Sequence, residues 1–266
     1  MTGRTAIIAG QGPLPALLAE ALDAPLVCAL EGFAPEITAE PFRLERLVPL
    51  LDGLADRGVH RVAFAGAVRR PRLDPEAFDA RTATLVPRFL SAMQAGDDGA
   101  LRELVAIFEE WGFEVVGVDA IRPDLVPGPG LLTGEPSAAD RADAARAAEI
   151  LAVTGSLDIG QGCVVVQGLC LAIETLPGTE AMLDFAAAHQ GLRPRPGGAR
   201  GLFYKAPKPT QDRRIDLPAI GPETVAQAAR AGLAGIAWAA GGVMLLEREA
   251  AIAAARAAGL FLWARE

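Results

Sequence analysis

The 266-residue chain has no asparagine, one tyrosine, two histidines, two lysines and three cysteines. His60 and His189 stand alone, with no second His or Cys at ligand spacing. A zinc centre, a histidine-based triad and a two-histidine iron site therefore have little to be built from. Any metal would have to be held mainly by oxygen ligands, which favours Mg²⁺ or Mn²⁺. Cys28, Cys163 and Cys170, an odd count in apolar surroundings, read as buried reduced thiols rather than a disulfide framework. No apolar run reaches the ~20 residues of a membrane span. The N-terminus shows no cleavable signal pattern, so a cytoplasmic protein is expected. Basic excess is missing too: 25 Lys+Arg against 33 Asp+Glu leaves a net charge of −8, which argues against nucleic acid as a partner.

A hydrophobic fraction of 51% and a mean hydropathy of +0.28 supply ample core material. The length fits two domains. Thr5–Ala9, Pro25–Leu30, Arg61–Ala65 and Phe113–Val118 read as strands. Between them fall apolar residues at helical spacing: Leu14 to Leu22, then Glu45–Arg57, Thr82–Gln94 and Ala100–Trp111. This alternation predicts an α/β N-terminal domain, residues 1–121, with a Rossmann-like parallel sheet. The Pro- and Gly-rich residues 122–136 read as a linker. Residues 137–266 read as a mixed α/β domain. Ser137 and Asp140 form a capping pair for a helix to about Val153, and Cys163–Gln167 and Leu169–Thr175 are strands turning at Gly168. Gly178–Ala188, Glu223–Ala231 and Arg248–Ala258 are helical. Leu202–Tyr204, Gly235–Trp238, Val243–Leu246 and Leu260–Trp263 are strands.

Three places carry chemistry. Gly10-Gln11-Gly12-Pro13, after the first strand, presents backbone N–H groups suited to an anion, and Gly66-Ala67-Val68 ends the equivalent strand. Open α/β sheets bind ligands outside such strand ends, so the two loops are expected to share a crevice. A third glycine of the dinucleotide fingerprint is missing, which disfavours an oxidoreductase. Asp97 and Asp98 precede a helix, where capping competes with metal or hydroxyl binding. The densest segment is Tyr204–Gly221, which holds both lysines of a chain whose other basic charge is carried by 23 Arg. Compact ammonium groups on a proline-stiffened loop suit phosphate contact. Phosphoryl transfer asks for such cations together with a carboxylate on water or metal, and this loop also carries Asp212 and Asp216.

Ile8–Pro15, Phe64–Pro71, Gly96–Arg102, Leu157–Gly162, Ile173–Leu183, Lys205–Gly221 and Ala231–Ile236 together resemble the UDP-2,3-diacylglucosamine pyrophosphatase family of lipid A biosynthesis, in its alphaproteobacterial form. The resemblance spans the chain in order, and Lys-Ala-Pro-Lys-Pro is its most specific block. It implies Mg²⁺-dependent hydrolysis of a glycolipid nucleotide held between two domains, giving UMP and 2,3-diacylglucosamine 1-phosphate (lipid X), with water attacking the sugar-side phosphorus. It also implies transient contact with the inner membrane surface. Asp216, Lys205 and Lys208 are its expected catalytic residues, with Asp216 and Asp98 at the metal. Substrate is expected at Gly10, Gln11, Gly12, Pro13, Gly66, Ala67, Val68, Asp97, Asp98, Gln161, Gly162, Glu174, Thr179, Gln211 and Arg214. The chain departs from the family pattern at Ala67, Glu180 and Asp184, where Asn, Asp and a basic residue are usual. A non-catalytic nucleotide- or lipid-binding module is the alternative.

Overall fold

The computed structural model describes residues 3–68, 72–94 and 97–266, without the side chains of Gln94 and Asp97. The expected roles of Arg69–Pro71, Gly96 and the Asp97 carboxylate lie outside the described residues. The chain divides into two compact units, Met1–Pro123 with Asp212–Asp216, and Asp124–Gln211 with Leu217–Glu266.

In the first unit, β1 (Arg4–Ala9), α1 (Leu14–Glu20), β2 (Leu26–Leu30), β3 (Glu40–Phe42), α2 (Leu47–Asp56) and β4 (Val59–Ala65) come first. They are followed by α3 (Ala80–Ala83), α4 (Val86–Gln94), α5 (Asp97–Glu110), β5 (Glu114–Val115) and α6 (Val118–Ile121). All four strand pairings are parallel, in the order β3-β2-β1-β4-β5. This is a doubly wound sheet that reverses direction between β1 and β4. One face is closed by Leu47, Val48, Leu51 and Leu54 of α2 and by Val105 and Phe108 of α5, packed on Val62 and Phe64. Phe108 meets Phe64 edge-on, 5.2 Å between ring centroids.

Three readings are corrected here. The helix expected over Thr82–Gln94 breaks at Thr84–Leu85 into α3 and α4, because Pro87 lacks an N–H and tolerates only a first turn. The strand expected to reach Val118 stops at Val115, and Val118 opens α6. The short strand β3 escaped detection because Pro41 sits in it, which an edge strand allows.

The second unit contains β6 (Gly130–Thr133), α7 (Ala138–Ser156), β7 (Gly162–Val166), β8 (Leu169–Ile173), α8 (Gly178–Ala188), β9 (Leu202–Lys205) and β10 (Ala219–Ile220). It ends with α9 (Pro222–Arg230), β11 (Gly235–Ala239), β12 (Met244–Leu245), α10 (Arg248–Ala258) and β13 (Phe261–Arg265). Its main sheet runs β6-β13-β11-β9-β7-β8, and β10 pairs separately with β12. Strands β9, β11 and β13 are parallel, while β6, β7 and β8 join antiparallel. Side chains alternate between two cores. Val164, Val166 and Phe203 face α8, α9 and α10. Cys163, Val165, Leu202 and Tyr204 face Ala144, Ala147 and Leu151 of α7. Burial pushes the Cys163 thiol well above its ordinary range.

Residues 130–133, inside the expected linker, are instead an edge strand paired with β13. Three pairings suffice to order them, too few to show against the Gly/Pro composition. Ser137 and Asp140 do form a reciprocal capping box on α7. The β7–β8 turn has Gln167 and Gly168 both at positive φ. Buried Asp143 of α7 accepts both of their N–H groups, at 2.9 and 2.6 Å. Cys28 and Cys163 are buried, but Cys170 is exposed, since β8 is an edge strand.

Candidate active site

The first unit places the Gly10–Pro13 and Gly66–Val68 loops where the strand order reverses. They are tied backbone to backbone: Gln11 N–H donates to Ala67 O at 2.9 Å and Ala67 N–H to Gln11 O at 3.0 Å. A β-carbon on Gly10 would lie 2.6 Å from Ala67 O, and one on Gly66 2.7 Å from Gln11 O. Only glycine allows this approach. Gln11, Gly66, Ala67 and Val68 stay exposed at the rim. As an anion site the start of α1 is modest, because Pro13 and Pro15 carry no N–H and the helix runs seven residues.

Asp98 occupies the second position of α5 and is buried, so it is not the cap but a first-turn carboxylate aligned with the helix dipole. Residues 212–216 also belong to this unit and form a tight turn, with Asp216 N–H donating to Asp212 O at 3.1 Å. Ile215 packs on the α2/α5 core. Arg214 donates to Asp212 through Nε at 3.0 Å and Nη2 at 2.6 Å, and through Nη1 to Glu109 of α5 at 2.6 Å. These bonds hold the Asp212 carboxyl below its ordinary range, against the opposing effect of burial. They raise the Arg214 guanidinium further. Arg214, expected on substrate, is thus engaged as the tether of this turn. Asp216, next to the tether, is half-buried.

The second unit gathers Gln161, Gly162, Glu174, Thr179, Lys205, Lys208 and Gln211 around the C-terminal end of β9. Lys205 closes that strand with its side chain 8% exposed. Its Nζ donates to Thr179 Oγ1 at 2.7 Å and stands 3.9 Å from Glu174 Oε2. That oxygen is buried and accepts no hydrogen bond among the described residues. A β-carbon on Gly162 would come within 2.6 Å of it, so this glycine makes room for the carboxylate. Ala206 N–H donates to Gln161 O at 2.9 Å. Lys208, its side chain 11% exposed, pairs with Asp158, and its N–H donates to Gln211 Oε1 at 2.9 Å. The prolines are seated on glycines. Added β-carbons would place Gly242 at 3.0 Å from Pro207 Cδ and Gly155 at 2.9 Å from Pro209 Cδ.

A solvated surface loop would expose its lysines; here Lys205 is buried, Lys208 is half-buried, and both are paired. The arrangement holds two ammonium groups at the C-terminal end of β9. Asp158, Gly155 and Gly242 were missed as parts of this site. Asp158 lies within the Leu157–Gly162 block, but the glycine seats have no signal beyond their composition. Among the described residues no three His, Cys, Asp or Glu side chains form a ready cation site. The departures at Glu180 and Asp184 fall on the exposed side of α8, where Asp184 meets Arg230 at 3.9 Å.

Known proteins divide the chain at nearly the same point, although their C-terminal domain includes residues 212–216. Residues 4–125 match the LpxI N-terminal domain and residues 128–263 the LpxI C-terminal domain. The UDP-2,3-diacylglucosamine pyrophosphatase LpxI of Caulobacter vibrioides is 39% identical, over 96% of this chain and 95% of its own length. With both domains matched in order and the similarity to this relative near full-length, the chain belongs to the LpxI family.

Proposed function

We propose that this protein hydrolyses the pyrophosphate of UDP-2,3-diacylglucosamine to UMP and 2,3-diacylglucosamine 1-phosphate in lipid A biosynthesis. The observation that carries the reading is the near full-length similarity to a pyrophosphatase named for that substrate. The chemistry of the chain supports it. Water attacking the sugar-side phosphorus forms one P–O bond there, and the anhydride bond breaks with the bridging oxygen leaving on UMP. Negative charge grows on the phosphoryl oxygens and on the leaving group, and Lys205 and Lys208 meet it as fixed ammonium groups. Asp216 orients the attacking water and accepts its proton. Gly10–Pro13 and Gly66–Val68 line the strand ends where doubly wound sheets take nucleotides.

An all-oxygen donor set fits Mg²⁺, which keeps much of its shell as water and phosphate and needs only one or two carboxylates. Asp216 and Asp98 would hold it, and once bound it draws charge from the phosphoryl oxygens.

The test is to incubate the protein with UDP-2,3-diacylglucosamine and Mg²⁺, follow UMP, then add EDTA. Release that stops on chelation is expected. Release that continues at full rate would remove the metal from the account, and tight binding without release would leave a non-catalytic binding module.

A further inference from the structure

The turn that ends α7 carries a carboxylate where helix physics disfavours one. Leu157 caps the helix, Asp158 N–H donates to Gly155 O at 3.1 Å, and Ile159 N–H donates to Thr154 O at 3.0 Å. In this pattern the residue after the cap takes a left-handed backbone and is usually glycine. The same pair of bonds ends α9, from Gly232 N–H to Ala229 O at 2.9 Å and from Leu233 N–H to Ala228 O at 3.1 Å. There the left-handed residue is Gly232, at φ 63°. At the end of α7 it is Asp158, at φ 60°. Aspartate tolerates that backbone, but at a steric cost that glycine escapes. Its charge also sits at the negative end of a 19-residue helix.

What the side chain does there is pair with Lys208 Nζ. With Asp158 40% exposed, the pair borders solvent, and such pairs add little to stability. Stability therefore gives no account of an aspartate at this position. Its place beside the lysines does. The same turn abuts the lysine site at two further points. A β-carbon on Gly155 would lie 3.5 Å from Lys208 Cα and 2.9 Å from Pro209 Cδ. One on Gly160 would lie 2.0 Å from Glu174 O, and the Glu174 carboxylate stands 3.9 Å from Lys205 Nζ. Residues 155–160 thus pack against the backbone that carries Lys208 and against the residue that faces Lys205.

We propose that Asp158 is a positioning residue for the hydrolysis, its carboxylate holding the Lys208 ammonium where negative charge develops on the pyrophosphate. The inference rests on the proposed hydrolase reading. Unfavourable backbone positions held for the sake of a side chain cluster at active sites. A charged group misplaced by about 1 Å can cost about a hundredfold in rate, so a weak pair at the surface can matter to turnover without mattering to folding.

The test compares Asp158→Gly with the unaltered chain. Glycine suits the turn, so the melting temperature should hold or rise. The kcat for UMP release from detergent-dispersed UDP-2,3-diacylglucosamine should fall about tenfold, with KM changed by less than about twofold. In a Lys208→Ala background the same substitution should cost less than about twofold more, because the group that Asp158 positions is already gone. The chain has only two lysines, so ¹⁵N NMR of the lysine side chains reads the contact without turnover. One ammonium signal should move on Asp158→Gly and the other stay. A tenfold loss repeated in the Lys208→Ala background, a melting temperature that falls with the rate, an unchanged kcat, or two unmoved signals would each overturn the proposal. If the unaltered protein released no UMP while the lysine signal moved and the melting temperature held, Asp158 would remain the group that holds Lys208, and the hydrolase reading alone would fall.

Discussion

Lys205 and Lys208 show what a residue-level anomaly in a sequence can carry. In a chain that otherwise uses arginine, both lysines fall on one proline-held loop, where Lys205 is buried and Lys208 half-buried. Lys205 fits against the Thr179 hydroxyl and the Glu174 carboxylate, in a space that Gly162 keeps open. A guanidinium is wider, planar and bonded in a fixed fork. Lys205→Arg and Lys208→Arg should therefore each lower turnover by about tenfold or more with the fold intact, as judged by circular dichroism and steady-state rates. Near-normal rates in both would return them to surface charges. Composition and spacing were enough to find these two side chains. Their partners were less legible: Asp158 pairs with a lysine fifty residues away, and nothing local in sequence announces that contact.

Among the elements, those with long periodic patterns were readable and the shortest were not. The strands β1, β4, β7 and β9 have continuous apolar runs, and α7 has its capping box. By contrast β3, β6 and β10 are two to four residues long, and their order comes from pairing with strands distant in sequence. The 212–216 turn is of the same kind. Nothing in Asp-Arg-Arg-Ile-Asp predicts membership of the first unit, which arises from Arg214 reaching Glu109 and from Ile215 entering the core. Its tether should be pH-dependent. Asp212 is held below its ordinary pKa chiefly by the Arg214 hydrogen bonds, so it adds stability above the unfolded carboxylate range, and that stability is lost as pH falls through the depressed value. Asp212→Asn should cost about 1–2 kcal/mol at neutral pH, with the difference vanishing in acid, as read from urea midpoints across pH. A constant difference at all pH values would mean that the carboxylate charge is not what ties the turn.

For the molecule as a whole, each unit places its candidate groups at the carboxyl ends of parallel strands, β1 and β4 in one and β9 in the other. The carboxylate expected to act on water, Asp216, follows the lysines on the same stretch of chain. With His60 exposed on β4 and His189 half-buried against Phe185 at the end of α8, a carboxylate is the available base. Removing it should separate binding from chemistry. The measurement is single-turnover UMP release by Asp216→Ala beside the unaltered protein, together with the affinity of each for intact UDP-2,3-diacylglucosamine. The account predicts release slowed by about three orders of magnitude or more while intact substrate stays bound. Preserved release with lost affinity would contradict it, leaving Asp216 a substrate-holding group and moving the work on water to another carboxylate.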